Sequence, residues 1–530
     1  MGLPGSFSTA TSTTSSRSLS STSTSTSSSD DGGDTKRICS SRAGQAVELL
    51  PTYLADARAV EKYSPSTPNG ALQLSVAENQ MLEDLLVPSL TEFSSSLPFP
   101  ADAIYYQPTQ GRESFRRAMA GYLNKLLGLS PKGLSLDVDG VVVGAGCNAV
   151  LENLCLCLAE PGESVLIPTP YYAAFEFDLV ARAGKDVTEE WKYIEFQIRF
   201  RILMTGTWCV LLYVPTGLNI VPVTTMDYCN DFDPSHSIPE SAYYPSRAAL
   251  DAAANQASKN GRVPKVLLLS HPQNPLGICY PPHVMKECID WCRENQIHLV
   301  SDEIYAGSVY AGNDVAKFKS AMELGASNDG DDNDVGLGLG PYIHLVYALS
   351  KDFALSGLRV GVSYSENPAI RLPLQKLNDL CCISSHTQML VERMLTATDA
   401  SGGPSTTWTD QFLEQNHQRL LARATILQTT LDELDIPYLH STAGLFVWMD
   451  LREFLPSATT GGETPQSDAE RERTLYLELL MDYGLLFTPG KSMKNELPGF
   501  FRCVFSAASE EEFTLGLERL KTYVHDKRSS

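Results

Sequence analysis

The sequence predicts an α/β protein of two packed domains: a large domain with a mostly parallel sheet flanked by helices, and a smaller α+β domain. At 530 residues the chain is too long for a single hydrophobic core. Its centre alternates short apolar runs with helical stretches, which is typical of parallel strands joined by crossover helices. After about Lys376 a long helical stretch is followed by a strand, a helix and another strand, which indicates the second domain.

The N-terminal segment is expected to lie outside both domains. Residues 6–30 are almost all Ser and Thr, a composition that buries too little apolar surface to fold. We predict a disordered tail over 1–44 and an N-terminal arm that joins the small domain over 45–100. The large domain is predicted over 101–375 and the rest of the small domain over 376–530.

The predicted strands are short apolar runs that end in turn residues. In the large domain they cover residues 141–143, 164–167, 265–269, 297–300 and 344–347. A helix over 284–295 is one of the predicted crossovers. In the small domain the pattern predicts strands over 444–449 and 500–505 and a helix over 468–483.

The segment 185–217 does not fit this pattern, because it is rich in aromatic residues and has no clean periodicity. Its removal would join Ala183 and Gly184 to 218–222, giving a helix, a glycine cap and a strand. The codons of the flanking residues are compatible with splice sites. Two interpretations stay open, a retained intron and a genuine insertion, and sequencing of the mature transcript distinguishes them.

Charge and composition exclude several classes of function. The formal net charge of −22 argues against a nucleic-acid partner and against a cationic membrane-surface protein. No apolar run approaches the roughly 20 residues that span a bilayer. The N-terminus lacks the apolar stretch of a secretory signal. We therefore expect a cytoplasmic protein that binds neither nucleic acid nor membrane.

The twelve cysteines do not have the spacing of a metal site. Cys288 and Cys292 lie four apart in a predicted helix, without a second Cys or His pair at zinc-ligand spacing. Cys155 and Cys157 fall in an apolar helical run. We expect buried free thiols and no metal.

Polar residues follow the predicted strands where these strands end, and ligands of open parallel sheets bind at that edge. The five strands are followed in order by Gly144-Ala145-Gly146-Cys147-Asn148, Pro168-Thr169-Pro170-Tyr171-Tyr172, Ser270-His271-Pro272-Gln273-Asn274-Pro275-Leu276-Gly277, Ser301-Asp302-Glu303-Ile304-Tyr305 and Ala348-Leu349-Ser350-Lys351. One edge thus collects a Gly-rich turn, an aromatic ring, an amide, a carboxylate, a phenol and a lysine.

This set of groups suits pyridoxal 5′-phosphate (PLP). A Gly-rich turn at a helix N-terminus binds phosphate through free N–H groups. A carboxylate keeps the pyridine nitrogen protonated, so that the ring can accept electrons. A lysine of lowered pKa can form an imine, and an aromatic side chain can stack on the ring. The residues therefore predict PLP as the cofactor.

A dinucleotide site is the main alternative, because Gly144-Ala145-Gly146 with Ala149 also fits the pattern GxGxxG/A. That pattern needs an acidic residue about 20 positions later, at the end of the next strand. Here the next strand ends in Pro168-Thr169-Pro170, without an acid. The turn indicates an anion site, and an NAD-dependent oxidoreductase stays as an alternative from another class.

Ser350-Lys351-Asp352, with Arg359 eight residues after the lysine, resembles the PLP-lysine signature of the class I/II aminotransferases, which have fold type I. Further stretches are similar to the 1-aminocyclopropane-1-carboxylate (ACC) synthase branch of that family. They are residues 74–80 (LSVAENQ), 168–172 (PTPYY), 274–277 (NPLG) and 302–307 (DEIYAG). The resemblance runs from about Tyr53 to the C-terminus, apart from 185–217, and implies that residues 101–375 bind PLP.

The resemblance implies a role at the cofactor ring for five side chains. Lys351 forms a Schiff base with PLP and later moves the α-proton of the substrate. Asp302 pairs with the pyridine nitrogen, and Asn274 and Tyr305 bond the 3′ oxygen. Tyr172 stacks on the ring. Lys351, Asp302 and Tyr305 are thus the expected catalytic residues.

The resemblance also implies how the phosphate is held. Cys147 and Asn148 contribute mostly through their backbone, and Ser350 and Arg359 through their side chains. Tyr106 reaches the phosphate of the neighbouring subunit. This last role implies a homodimer with shared active sites.

Two further residues are expected to contact the substrate. Arg502 clamps the α-carboxylate with two parallel hydrogen bonds, a task that suits a guanidinium. Glu78 favours a cationic sulfonium substrate, and a purely structural loop carboxylate is its alternative interpretation.

The chain departs from the ACC-synthase pattern at Ser75 and Val76, at the pair Val150-Leu151 and in residues 355–358, where that branch has a proline-containing turn. These changes leave cofactor binding intact and leave the reaction open. We expect an aminotransferase that passes the amino group of an α-amino acid to a keto acid. The alternatives are ACC-synthase-like or carbon–sulfur lyase elimination on a sulfur-containing amino acid, and a family member without activity that scaffolds a partner.

Overall fold

The computed structural model of the chain describes residues 49–95, 97–181, 218–229, 237–310, 318–327, 336–398, 406–458 and 466–529. All of them belong to the compact unit Ser41–Ser530. The predicted tail over 1–44 and the segment 185–217 lie outside the described residues, and both predictions remain untested.

Helices and strands alternate along the described part of the chain. The strands are β1 Leu72–Gln73, β2 Val141–Gly144, β3 Ser164–Pro168, β4 Asn219–Val223, β5 Pro264–Ser270, β6 His298–Asp302, β7 Ile343–Ala348, β8 Gly361–Ser365, β9 Tyr438–Leu439, β10 Phe446–Asp450, β11 Leu485–Leu486, β12 Thr488–Pro489 and β13 Phe500–Val504. The α-helices are α1 Tyr53–Ala59, α2 Glu83–Ser95, α3 Glu113–Leu126, α4 Cys147–Leu158, α5 Phe175–Val180, α6 Arg247–Lys259, α7 Pro282–Asn295, α8 Ala321–Gly325, α9 Leu349–Asp352, α10 Pro368–Leu377, α11 Ser385–Thr396, α12 Trp408–Glu433, α13 Asp468–Met481 and α14 Glu510–Ser529.

A seven-stranded sheet has the order β2-β8-β7-β6-β5-β3-β4. Five adjacent strands, in the order β4, β3, β5, β6 and β7, run parallel to one another, and β8 is antiparallel to both β7 and β2. The five strands predicted for the large domain are β2, β3, β5, β6 and β7. The mostly parallel sheet flanked by helices is therefore confirmed, and β8 is a strand that the sequence pattern did not reveal.

Alternate residues of each strand pack on opposite faces of this sheet, as the pleat requires. Val141 and Val143 lie in the core on one face, with α3, α6 and α7, whereas Val142 lies in the core on the other face, with α4. Leu267 and Val266 divide between the two faces in the same way. Because helices cover both faces, the strands can be apolar along their whole length.

A smaller antiparallel sheet follows in the C-terminal part, with the order β12-β13-β10-β9. Its two central strands, β10 and β13, are the strands predicted over 444–449 and 500–505. β1 of the N-terminal arm pairs in parallel with β11, the short strand that comes just before β12 in the chain. The smaller α+β part is thus confirmed, while the boundaries at residues 100 and 375 remain predictions.

Two long C-terminal helices begin at capping boxes. Thr407 caps α12 while Asp410 bonds back to the Thr407 backbone, and Ser467 and Glu470 do the same for α13. Each box satisfies N–H groups that the first turn of a helix leaves free. None of the helices that the structure describes is long and apolar enough to cross a membrane.

The cysteines of the described residues are free thiols. Cys155, Cys288 and Cys292 are buried as expected. The expectation of burial is wrong for Cys382, which is exposed, and Cys157 is only partly buried. Cys382 directly follows the short helix Asn378–Cys381, as its C-cap residue.

Candidate active site

Lys351 lies in the one-turn helix α9, directly after β7. Its Nζ donates a hydrogen bond to the carbonyl oxygen of Ala77, at 2.6 Å. Burial lowers the pKa of Lys351 to about 8, and the positive charge of Arg502 acts in the same direction. A lysine with this pKa is partly neutral near pH 7, so its amine is available as a nucleophile and a base.

Asp302 is the last residue of β6 and is only 5% exposed. Its Oδ1 accepts hydrogen bonds from the Ile304 N–H, at 3.3 Å, and from Cys147 Sγ, at 3.8 Å. Burial raises the pKa of Asp302 to about 7. No Lys, Arg or His of the described residues forms an ion pair with this carboxylate. A buried carboxylate without an ion-pair partner is suited to bind a cationic ligand group, such as a protonated ring nitrogen.

The Gly-rich turn leads into the N-terminus of α4. Gly146 has a φ of +94°, and no side chain among the described residues caps the helix there. The guanidinium of Arg359 packs so closely on Gly146 that a Cβ at this position would clash with Nη2. Free helix N–H groups next to an arginine form an anion site, as the phosphate of PLP requires.

The other residues predicted around the phosphate differ in their surroundings. The Asn148 side chain donates a hydrogen bond to Asp178 Oδ1, at 2.6 Å. Asn148 would therefore bind an anion through its backbone N–H. Burial raises the pKa of Asp178 to about 6. Ser350 is buried in the first turn of α9, and Tyr106 is fully exposed. The structure thus brings Ser350 to the site and leaves Tyr106 on the surface of this chain.

Two tyrosines lie near the lysine and the carboxylate. Tyr305 is buried, and its ring packs edge to face against the ring of Phe446, with the ring centroids 5.5 Å apart. The Tyr172 ring packs edge to face against the ring of Phe175, with the centroids 5.4 Å apart. Burial raises the pKa of both phenols, and the charge of Arg502 opposes this shift in each of them.

Arg502 brings the smaller sheet to the edge of the large one. From β13, its Nη1 donates to Asn274 Oδ1 at 2.8 Å, and its Nη2 donates to the Ser75 carbonyl oxygen at 2.6 Å and to Thr488 Oγ1 at 3.2 Å. The side chain is 2% exposed, and its Nε has no hydrogen-bond partner among the described residues. Within the same ranges no carboxylate pairs with it. A buried guanidinium without a counter-ion is suited to bind an anionic ligand group.

Glu78 lies at the rim of this arrangement. Its side chain is exposed and accepts a hydrogen bond from Ser356 Oγ, at 3.1 Å. Its negative charge raises the pKa of Lys351, against the effect of burial. Glu78 therefore lies close enough to the amine to influence a substrate.

Sequence reasoning missed the partners that hold these groups. Ala77 and Ser75 act through carbonyl oxygens, which no residue type reveals. Thr488 and Ser356 lie far in sequence from the groups they bond. Asp178 is a helical carboxylate with no local pattern that links it to Asn148.

Comparison with known proteins identifies the family. The sequence profile described as "Aminotransferase class I and II" matches residues 87–199 and 242–520. 1-Aminocyclopropane-1-carboxylate synthase 5 of Arabidopsis thaliana is 31% identical over 464 residues, which are 86% of this chain and 83% of that protein. 1-Aminocyclopropane-1-carboxylate synthase 4 of Oryza sativa subsp. japonica is 30% identical over 472 residues, 87% of this chain and 83% of that protein. The chain belongs to the class I and II aminotransferase family.

Solved structures agree with the fold. An aromatic aminotransferase from Pyrococcus horikoshii OT3 has a TM-score of 0.62 at 16% identity, covering 92% of this chain and 99% of that chain. Aspartate aminotransferase from Thermus thermophilus with maleate has a TM-score of 0.60 at 18% identity, also covering 92% and 99%. The chain is a PLP-dependent enzyme of fold type I, and this assignment disfavours the dinucleotide alternative.

The residues present fit this cofactor. The free N–H groups of α4 and Arg359 suit the phosphate, and the unpaired Asp302 suits the ring nitrogen. Lys351 supplies the amine. Asn274 supplies a side-chain amide and Tyr305 a buried phenol. These assignments of individual residues to parts of PLP are proposals.

The phosphate turn generates a prediction for Gly146. Gly146→Ala should weaken PLP binding at least about tenfold, because the new methyl group displaces Arg359 and strains the backbone. Gly133→Ala is a control for adding a methyl group at a positive φ, since Gly133 has a φ of +71° in the left-handed region and open space around a Cβ. Equilibrium dialysis of PLP measures both. Equal losses in the two variants would show that strain alone matters and that the turn does not hold the phosphate.

Proposed function

We propose that this enzyme acts on an α-amino acid, whose carboxylate is bound by Arg502 and whose Cα proton is moved by Lys351. The observation that supports this proposal is the buried guanidinium of Arg502, which has no carboxylate partner within the described ranges. A group of this kind is costly to bury unless a ligand supplies the opposite charge. An α-carboxylate supplies that charge.

Arg502 would also orient the substrate. Its hydrogen bonds to Asn274, Ser75 and Thr488 fix the plane of the guanidinium before any ligand arrives. A carboxylate would replace one of the two bonds that Nη2 donates, so that two parallel N–H donors hold the ligand in one orientation, which a single ammonium cannot do. The same contact therefore contributes both affinity and geometry.

Lys351 would move the proton. PLP, when bound, supplies an electron sink for the charge that develops as Cα loses its proton. Asp302 would hold a proton on the ring nitrogen, since a cationic partner favours the ionised form of this buried carboxylate. The lowered pKa of Lys351 suits an amine that both takes and returns a proton near neutral pH.

We propose transamination as the reaction, with a keto acid as the second substrate. The description of the matching family supports this choice. In transamination Lys351 takes the proton from Cα and delivers it to a different carbon, so the amine must reach both positions. Water must also enter, and the rim, where Glu78 is exposed and Ser356 is partly exposed, offers a route from solvent.

Elimination on a sulfur-containing amino acid is the second candidate, and the position of Glu78 favours it. The carboxylate is exposed at the rim and close enough to alter the pKa of Lys351, where it could pair with a sulfonium group. The named relatives are ACC synthases, which supports the same candidate. In this reaction the electrons left at Cα expel the sulfur group, and no keto acid is needed.

A homodimer with shared sites is part of the proposal. Tyr106 is fully exposed, and its neighbours Ile104 and Tyr105 are 67% and 68% exposed. An exposed phenol next to apolar side chains suits an interface rather than solvent. Tyr106 would then complete the phosphate site of the second subunit.

The two reactions predict different dependence on an acceptor. Transamination predicts that an amino acid is consumed only when a keto acid is present, with one new amino acid formed for each one lost. Elimination predicts turnover of S-adenosylmethionine or a thioether amino acid without any acceptor. Product analysis by mass spectrometry, with and without 2-oxoglutarate, decides between them. Acceptor-independent release of a sulfur compound would rule out transamination as the main reaction.

The role of Lys351 predicts a single site of cofactor attachment. Borohydride reduction followed by peptide mapping should find the cofactor on Lys351. Lys351→Ala should abolish turnover while PLP is still bound through its phosphate and ring contacts, because these are separate interactions. A cofactor-labelled peptide that contains another lysine would overturn the assignment of the site.

The role of Arg502 predicts a difference between amino acids and amines. Arg502→Lys should raise KM and lower kcat for amino acids, because a point charge cannot reproduce the planar fork. Binding of the corresponding decarboxylated amine, followed by the absorbance of the bound cofactor, should be nearly unchanged. Equal losses for an amino acid and its amine would mean that Arg502 is structural.

A further inference from the structure

A buried chain of hydrogen bonds links the Lys351 turn to α12. Asn416, on α12, is fully buried and donates from Nδ2 to the carbonyl oxygen of Asp352, at 3.3 Å. Its Oδ1 accepts a hydrogen bond from Asn79 Nδ2, at 2.8 Å. Asn79 is itself 5% exposed. One amide therefore joins the residue after the lysine to the N-terminal arm.

The arm is bound to the lysine a second time. Lys351 Nζ donates to the carbonyl oxygen of Ala77, two residues before Asn79. The path from the amine through Ala77, Asn79 and Asn416 to the backbone of Asp352 is a closed ring of contacts. Asn416 closes this ring, so its amide fixes the arm against the same turn that the amine contacts.

The neighbouring residue of α12 holds the turn on the other side. His417 Nε2 lies 2.9 Å from the carbonyl oxygen of Gly307, and the Gly307 N–H donates to Asp352 Oδ2 at 2.8 Å. Gly307 follows Tyr305 by two residues. Asn416 and His417 thus bind two turns that are also bound to each other through Asp352.

The orientation of the Asn416 amide is determined by its partners. Asp352 offers a carbonyl, which only accepts, and Asn79 offers an NH₂ group, which only donates. A rotated amide would face each partner with the wrong atom. Replacing Asn416 by an apolar side chain would leave a buried donor and a buried acceptor without partners, so this ring would open.

We propose that Asn416 is a positioning residue for Lys351, holding the lysine turn and the Ala77–Asn79 arm at a fixed separation so that the amine stays in place over the substrate. This inference rests on the proposed role of Lys351 in moving the Cα proton. Asn416 touches neither the amine nor Asp302 or Arg502, and it acts through Asp352 and Asn79.

The test compares two buried amides on the same helix. Asn416→Leu removes the ring contact without adding a charge. Gln428→Leu is the matched control, because Gln428 is also buried on α12 and also bonds backbone on both sides, to Ala424 O and from the Ser441 N–H. Both variants are made in the full-length chain with PLP bound.

The first readout is the pH midpoint of the absorption change of the bound cofactor. Asn416→Leu should shift this midpoint upward by about one pH unit, because a loosened arm lets water reach the nitrogen of Lys351 and solvation favours its protonated form. The charged and titratable groups that influence the amine are Arg502, Glu78, Cys147 and Asp302, and none of them changes. Gln428→Leu should leave the midpoint unchanged.

The second readout is steady-state kinetics with an amino acid substrate. Asn416→Leu should lower kcat about 10- to 100-fold, because a displaced amine reaches the Cα proton less often. KM should change less than kcat, since Arg502 keeps its bonds to Asn274 and Thr488, which lie outside the arm. Asn79→Leu breaks the same bond from the other end, together with the bond that Asn79 Oδ1 accepts from the Met81 N–H, and should shift the midpoint in the same direction. Because both variants remove the bond between the two amides, the double variant should lose less than the sum of the single losses.

Equal midpoint shifts in Asn416→Leu and Gln428→Leu, or no shift in Asn416→Leu, would overturn the proposal. If Asn416→Leu does not fold, Asn79→Leu carries the same comparison, and an unshifted midpoint there overturns it too. A wild-type enzyme that turns over no α-amino acid would refute the proposed function instead. The midpoint comparison needs no substrate and still decides the role of Asn416.

Discussion

Two charged side chains are buried at the edge of the large sheet without a protein counter-ion, and this constraint governs the rest of the site. Asp302 and Arg502 are 5% and 2% exposed, and no described residue forms an ion pair with either. Burying an isolated charge costs several kcal/mol, which folding alone does not recover. Hydrogen bonds from the surrounding structure hold both groups in place, and we propose that ligand groups of opposite charge pair with them.

The fold satisfies this constraint by combining two sheets. The parallel sheet delivers Asp302, Asn274 and Lys351 to one edge, because each follows a strand that runs in the same direction. The antiparallel sheet delivers Arg502, and the bond between Arg502 and Asn274 joins the two. Electrostatic preorganisation of this kind is most effective where water is excluded and the donors do not need to move. Burial of Lys351 follows from the same arrangement, and its lowered pKa is a consequence.

Two of the departures from the ACC-synthase pattern lie next to Arg502 and Glu78, whereas Val150 and Leu151 are buried in the core on α4. Ser75 offers its carbonyl oxygen to Arg502, and its hydroxyl accepts from Gln73 Nε2 at 3.3 Å. Ser356 occupies the altered turn before Arg359 and bonds Glu78. The groups assigned to the cofactor ring are the same as in the family motifs.

Sequence by itself determined the strand-end residues of this protein. Lys351, Asp302, Asn274 and Tyr305 each follow an apolar run, and parallel topology makes the ends of such runs neighbours. Local pattern therefore predicted the five parallel strands, the Gly-rich turn and the cofactor, and the resemblance added Arg502. It failed where the signal is not local, as for strand β8 and for the exposure of Cys382.

Tertiary structure alone decided how these residues are held. Asn79 and Asn416 are 337 positions apart, and Lys351 is 274 positions from Ala77. Ser75 and Ala77 contribute carbonyl oxygens, which every residue possesses, so no side-chain pattern distinguishes them. Packing brings the N-terminal arm and α12 against the lysine turn, and only then do ordinary backbone groups and buried amides acquire specific partners. Hydrophobic periodicity predicts which face of a helix or strand is buried. The element that packs against that face depends on the tertiary fold of the whole chain.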